Sequence, residues 1–161
     1  VLPVALADIV GNPSSSDAAT NLRHTAGDAT QTHAFFPNTL SDYDLLRQRL
    51  TASGTPCSAG ICAPNTLNAN AAQASYWKTQ TATALAVGAA DSPDGSNTAW
   101  YWIEVFPRGN TASPSASFVY RITALATGVM PGSSTVLQAI WTRDNNTSPT
   151  GQWRSWHVLH D

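Results

Sequence analysis

Four apolar, aromatic-rich runs follow one another through the last third of the chain, separated by turn-forming linkers. The runs are Trp100–Phe106, Phe118–Ala124, Ser134–Trp141 and Trp153–Leu159. A strand turns successive side chains to opposite faces. Trp100, Trp102, Glu104 and Phe106 therefore share one face, and Tyr101, Ile103 and Val105 the other. In the second run Phe118, Tyr120 and Ile122 oppose Val119, Arg121 and Thr123. Both faces are bulky, so one is expected to pack on helix, and the other to be partly covered by loops or left as a contact surface. The linkers at 108–114, 128–132 and 144–151 are rich in Gly, Pro, Asn and Ser. Consecutive strands without helical patterns between them predict an antiparallel meander. Within it, Tyr120–Ala124 and Ser134–Trp141 are expected to form a hairpin across Gly128–Gly132.

The patterning upstream is weaker. Leu6, Ile9 and Val10 suit the last turns of a helix over residues 4–10, stopped by Gly11-Asn12-Pro13. Residues 14–38 are small, polar and weakly periodic, with helix between Asp17 and His24 as the only local suggestion and Phe35-Phe36 as the strong apolar pair. A clearer helix starts at Ser41, read as its N-cap, with Asp42 and Asp44 near the positive end of the dipole. Leu45, Leu46 and Leu50 give it an apolar face before Ser53-Gly54. The stretch 65–80 reads as loop or short helix, and Thr81–Val87 as a further strand feeding the sheet.

At 161 residues the chain is long enough for one domain, 1–161, with its own core, and 42% hydrophobic residues argue against disorder. Charged residues are only 11%, against roughly a quarter in an average soluble protein. Lys78 is the only lysine and Glu104 the only glutamate. Thr, Ser, Asn and Gln take their place, which suits a surface outside the cytoplasm. The net charge of −2 and scattered arginines leave no basic stripe for a phosphate backbone, so no nucleic-acid partner is expected. No apolar run approaches the roughly 20 residues that span a bilayer. Val1–Val10 reads as the end of an apolar segment that has been cut.

Candidate chemistry is sparse. Cys57 and Cys62 are the only cysteines, four residues apart between Pro56 and Pro64. Redox pairs prefer a two-residue spacing, and zinc needs further ligands that no nearby His supplies. A structural disulfide pinning a small loop is the better reading. His24, His33, His157 and His160 sit in no metal-ligand pair and beside no nucleophile motif. Asp91, Asp94 and Asn97 with Gly95 resemble an oxygen-lined calcium loop, but the closing acid is absent and a hairpin turn explains Pro93-Asp94-Gly95 without an ion. Asp42, Asp44 and Glu104 are too dispersed for a glycosidase pair. No catalytic residue, cofactor or metal is expected. Asn145 and Asn146 open N-glycosylation patterns that matter only in a eukaryotic secretory host. Most of the six tryptophans are expected in the core. Trp100, Trp102, Trp153 and Trp156 are the candidates for an aromatic protein interface or a sugar-stacking platform.

Several of these pieces together resemble the PilX family of type IV pilus minor pilins. They are Gly54-Thr-Pro-Cys57 with Gly60-Ile-Cys-Ala-Pro64, Trp102-Ile-Glu-Val105, Tyr120-Arg-Ile-Thr-Ala124 followed by Ala126-Thr-Gly128, and Thr135-Val-Leu-Gln138. The ending Gly151-Gln-Trp-Arg-Ser-Trp156 is similar to that of the family. The resemblance covers roughly 54–157, and the Tyr-Arg-Ile-Thr-Ala hairpin is its most specific element. It implies an α+β, pilin-like head. A remnant of a long N-terminal helix (1–12) would pack on an antiparallel sheet of four or slightly more strands (about 80–161), and the front of that helix would be a membrane-spanning filament core. Residues 14–38 depart from the pattern. The implied role is priming and assembly of the filament, at or near its tip. The implied partners are other minor pilins, the major pilin and a tip adhesin, and membrane contact would run only through the missing helix. Location would pass from inner membrane and periplasm to the extracellular pilus. A type II secretion pseudopilin and a secreted carbohydrate-binding module are the rival readings.

Overall fold

The computed structural model describes residues 1–11, 23–24, 32–63, 69–87, 99–108, 117–128, 130, 132–143 and 150–161. The chain forms α1 (Leu2–Ile9) and α2 (Leu40–Ser53), then two-residue strands β1 (Cys57–Ser58) and β2 (Ile61–Cys62). A 3-10 turn at Ala69–Ala72, α3 (Ala74–Lys78) and a second 3-10 turn at Thr81–Thr83 lead into β3 (Leu85–Val87). Four long strands follow: β4 (Ala99–Arg108), β5 (Ser117–Thr127), β6 (Ser134–Arg143) and β7 (Gly151–Leu159). All seven strands join one sheet in the order β1-β2-β4-β5-β6-β7, with β3 also on β4.

The meander is the one the alternation predicts. Ile103 faces Ile122, Ile122 faces Ala139, and the β5–β6 hairpin pairs Tyr120 with Trp141 and Ala124 with Leu137. At the β4 side the expected strand within 81–87 joins the sheet as β3, and the two-residue β1 and β2 extend it. Beside β4, opposite β5, β2 runs parallel along Ile103–Glu104 and β3 antiparallel along Ala99–Tyr101. Gly60 sits where the two meet. Its N–H donates to the Thr83 carbonyl (2.8 Å) and its own carbonyl accepts the Ile103 N–H (2.7 Å). A Cβ there would lie 3.1 Å from Leu85 and from the Tyr101 carbonyl. With φ +47° at Ala59 and +76° at Gly60, the β1–β2 turn has two left-handed central residues, which matches the twist of a two-residue hairpin.

Both faces of the sheet are covered near β4. Tyr101, Ile103, Val105, Tyr120, Ile122 and Trp141 meet α1, α2 and the Phe35-Phe36 segment in the main core. The opposite face buries Trp102, Leu125, Val136 and Leu159 against α3, Trp77 and the two cysteines. α1 presents Ala5, Asp8 and Ile9 to the sheet, an i, i+3, i+4 stripe. The N-cap of α2 is Thr39, not Ser41. Thr39 Oγ1 accepts the Asp42 N–H (3.1 Å) while Asp42 Oδ2 accepts the Thr39 N–H (3.0 Å), a reciprocal box that begins the helix two residues early. Gly54 closes it in the left-handed conformation. Of the stretch 65–80, Ala74–Lys78 is helical, and of 81–87 only Leu85–Val87 is strand. The helix suggested between Asp17 and His24 lies outside the described residues except for a turn at 23–24.

Candidate functional site

Cys57 and Cys62 face each other across the β1–β2 hairpin and form the disulfide, with 4.2 Å between their Cα atoms. Both are buried under Trp77 and Trp102. The bond fixes the hairpin that seals β4. A thiol pair so covered has no open side for exchange.

The tryptophans divide by burial. Trp102 is fully buried, its indole 5.0 Å from that of Trp77, and its Nε1–H donates to Thr83 Oγ1 (3.2 Å). Trp102 therefore has no free face for a ligand or partner, because the short elements over β4 close on it. Trp100 is half-buried. It borders an open groove of about 430 Å³ with Leu125, Lys78, Thr81 and Met130. Trp153 and Trp156 lie on β7 and are 43% and 71% exposed. Val158, 40% exposed, follows on the same side. Through Trp141, Ala139 and Leu137 these three residues share the face on which the helices pack, beyond the area that α1 and α2 cover.

Two buried ion pairs were not foreseen. Asp8 of α1 stands 2.6 Å from Arg23 Nη1 and accepts the Tyr101 hydroxyl at 2.9 Å, all three side chains being buried. The Arg23 guanidinium stacks over Phe36, and His24 approaches Asp8 at 3.4 Å. Burial, and then the Asp8 charge, push the Tyr101 hydroxyl well above its ordinary pKa. On the opposite face Glu104, fully buried, is gripped by Arg121 directly across the β4–β5 pair, with Nε to Oε2 at 2.6 Å and Nη2 on Oε1. Arg121 also lies over Phe106. Desolvation holds the Glu104 carboxyl above the usual carboxylate range, against the opposing pull of Arg121.

The remaining candidates scatter. Asp42 caps α2 and Asp44 pairs with Arg47 on the surface. His33 packs edge-on to Phe35, while His157 and His160 are exposed at the end of the sheet. Among the described residues no three His, Cys, Asp or Glu gather to hold a metal, and no helix is long and apolar enough to cross a membrane. Asp91, Asp94 and Asn97, and the Asn145 and Asn146 patterns, lie outside the described residues.

The model of the family described as type IV pilus assembly protein PilX, C-terminal region, matches residues 49–143, more than half of the chain, from the last turn of α2 to the end of β6. The chain belongs to the PilX family. No curated protein and no solved structure shows significant similarity to it. Membership makes it a type IV pilus assembly-related protein. The PilX match spans the disulfide hairpin, Trp102, the Glu104–Arg121 pair and the β5–β6 hairpin. β7, with its exposed aromatics, begins after the matched span.

Proposed function

We propose that this PilX-family chain is a non-enzymatic minor pilin that takes part in priming and assembly of the type IV pilus, at or near the filament tip. Its partners are other minor pilins and the major pilin, and its route runs from the inner membrane and periplasm to the extracellular filament. One observation carries the reading beyond family membership: the open aromatic side of β7, where Trp153, Trp156 and Val158 are exposed together. Exposed aromatics on a rigid strand are the raw material of protein interfaces. The titratable groups support it, because Asp8 and Glu104 are locked in buried ion pairs instead of facing a cleft. The test is mass spectrometry of sheared filaments from the source cells together with a deletion of this chain. Peptides of the chain in the filaments and loss of piliation on deletion are expected. Normal filaments without it would overturn the assignment.

A second reading, a carbohydrate-binding role, is favoured by the groove beside Trp100. There an indole and Leu125 stand next to the hydroxyls of Thr81, Thr127, Ser133 and Ser134. Glycan-array binding that disappears in Trp100→Ala would support it, and an array blank for the native head would remove it.

A further inference from the structure

β7 is the one long strand of the sheet with a side on which no other described strand pairs. A free strand edge offers a row of unpaired N–H and C=O groups, and natural folds usually blunt it with Lys, Pro, a bulge or a covering element. Between Gly151 and His160 there is neither Lys nor Pro. Residues 152–158 are all exposed. A single bulge falls at Arg154, since Ile140 pairs with Ser155 and Trp141 with Trp153. It interrupts the ladder there and leaves Ser155–Leu159 as a regular edge with no strand beyond it among the described residues.

This edge is held in place. Leu159 is buried in the second core, the His160 carbonyl accepts the Ala74 N–H (3.2 Å), and Asp161 pairs with Lys78 (3.0 Å). A strand already fixed at its end has little freedom left to lose on docking. Its chemistry is one-sided. Trp156 and Val158 point to the helix side, with Trp153 beyond the bulge, while Ser155 and His157 point the other way. Arg154 is cationic and exposed, its Nε–H donating to Thr142 Oγ1 (2.9 Å); His157 and His160 are exposed beside it, and among the described residues Asp161 is tied to Lys78.

We infer that the Ser155–Leu159 edge receives an extended segment of a different pilus-assembly subunit as an added strand. That segment has apolar residues at alternate positions, to cover Trp156 and Val158, and acidic residues between them, to meet Arg154 and His157. The inference rests on the minor-pilin reading for the identity of the partner. A helix laid over the tryptophans would cover apolar surface but leave the edge N–H and C=O groups unpaired, whereas a strand satisfies both. A second copy of this β7 would bring no carboxylate to the edge.

The test uses the full-length protein in piliated source cells, with a photoreactive phenylalanine analogue at Gln152 or, separately, at Ser155. Cross-linked peptides are sequenced, and backbone hydrogen exchange is measured on the purified complex and on the free protein. The expected result is a cross-link to one segment of another pilus subunit, with amides of 155–159 slowed at least about tenfold. A cross-link to β7 of a second copy, amides that exchange as in the free protein, or no cross-link at either site overturns the inference. A strand captured from a protein that is not a pilus subunit, with the same slowed amides, supports strand addition and removes the minor-pilin reading. Presence in filaments with fast amides does the reverse.

Discussion

Glu104 and Arg121 are an unequal pair. The carboxylate is fully buried, while the guanidinium keeps about a third of its surface in water. Removing Arg121 strands a buried charge; removing Glu104 leaves a cation that can reach solvent. Arg121→Met is therefore expected to cost about 3–5 kcal/mol at neutral pH, and Glu104→Gln, which keeps a hydrogen bond, about 1–2 kcal/mol. The pH dependence has a definite sign. The folded Glu104 carboxyl titrates above its unfolded value, so its contribution is fully present below the unfolded pKa and is lost as pH rises through the folded one. In Arg121→Met the folded value rises further, and the deficit against the native protein shrinks on acidification. Urea melts of both variants at about pH 4 and about pH 7 check this. A deficit of equal size at both would mean that the loss is packing over Phe106 and not charge.

The disulfide hairpin sets the next scale. Closing so short a loop stabilises the fold by only about 2 kcal/mol on the chain-entropy estimate. Reduction is accordingly expected to lower the melting temperature modestly while leaving the four long strands paired. Gly60→Ala should do more. It adds a Cβ 3.1 Å from Leu85 and the Tyr101 carbonyl, which must give by a few tenths of an ångström, and it strains a left-handed φ as well. Circular dichroism melts of the reduced protein and of Gly60→Ala rank the two, and a neutral glycine substitution would contradict the junction described for β4. The long strands, their facing residues, the β5–β6 hairpin and the cysteine pairing were legible in the sequence because period two and turn residues are local signals. The start of α2 was misplaced by two residues because the Thr39–Asp42 box is reciprocal, and Ser41 looks like a cap only when read alone. β1, β2 and β3 are too short to carry a period. The Asp8 cluster was not legible at all, since Arg23 and Tyr101 lie 15 and 93 residues from it and only the packing of α1 on β4 joins them.

For the molecule as a whole, the sheet separates two kinds of tryptophan that the sequence left together. The register across the sheet puts Trp102 and Trp156 on opposite faces, whereas the sequence grouped both as interface candidates. Closure depends on where α3 and the disulfide hairpin land, and they land on the Trp102 face, over β4 and against Leu159 at the end of β7, and not on the face that carries Trp156. Trp102→Ala should therefore unfold the head, costing about 3–5 kcal/mol, and any loss of piliation would follow from lost protein. Trp156→Ala should leave stability within about 0.5 kcal/mol, because 71% of the side chain already faces water. If β7 is where this PilX-family head meets its neighbours, Trp156→Ala should nonetheless reduce surface filaments at unchanged cellular levels of the protein. Parallel thermal melts, immunoblots and filament counts on the two variants test that division. Normal piliation with a stable Trp156→Ala head would show that the exposed indole is not part of the assembly contact, whatever the family membership of the chain.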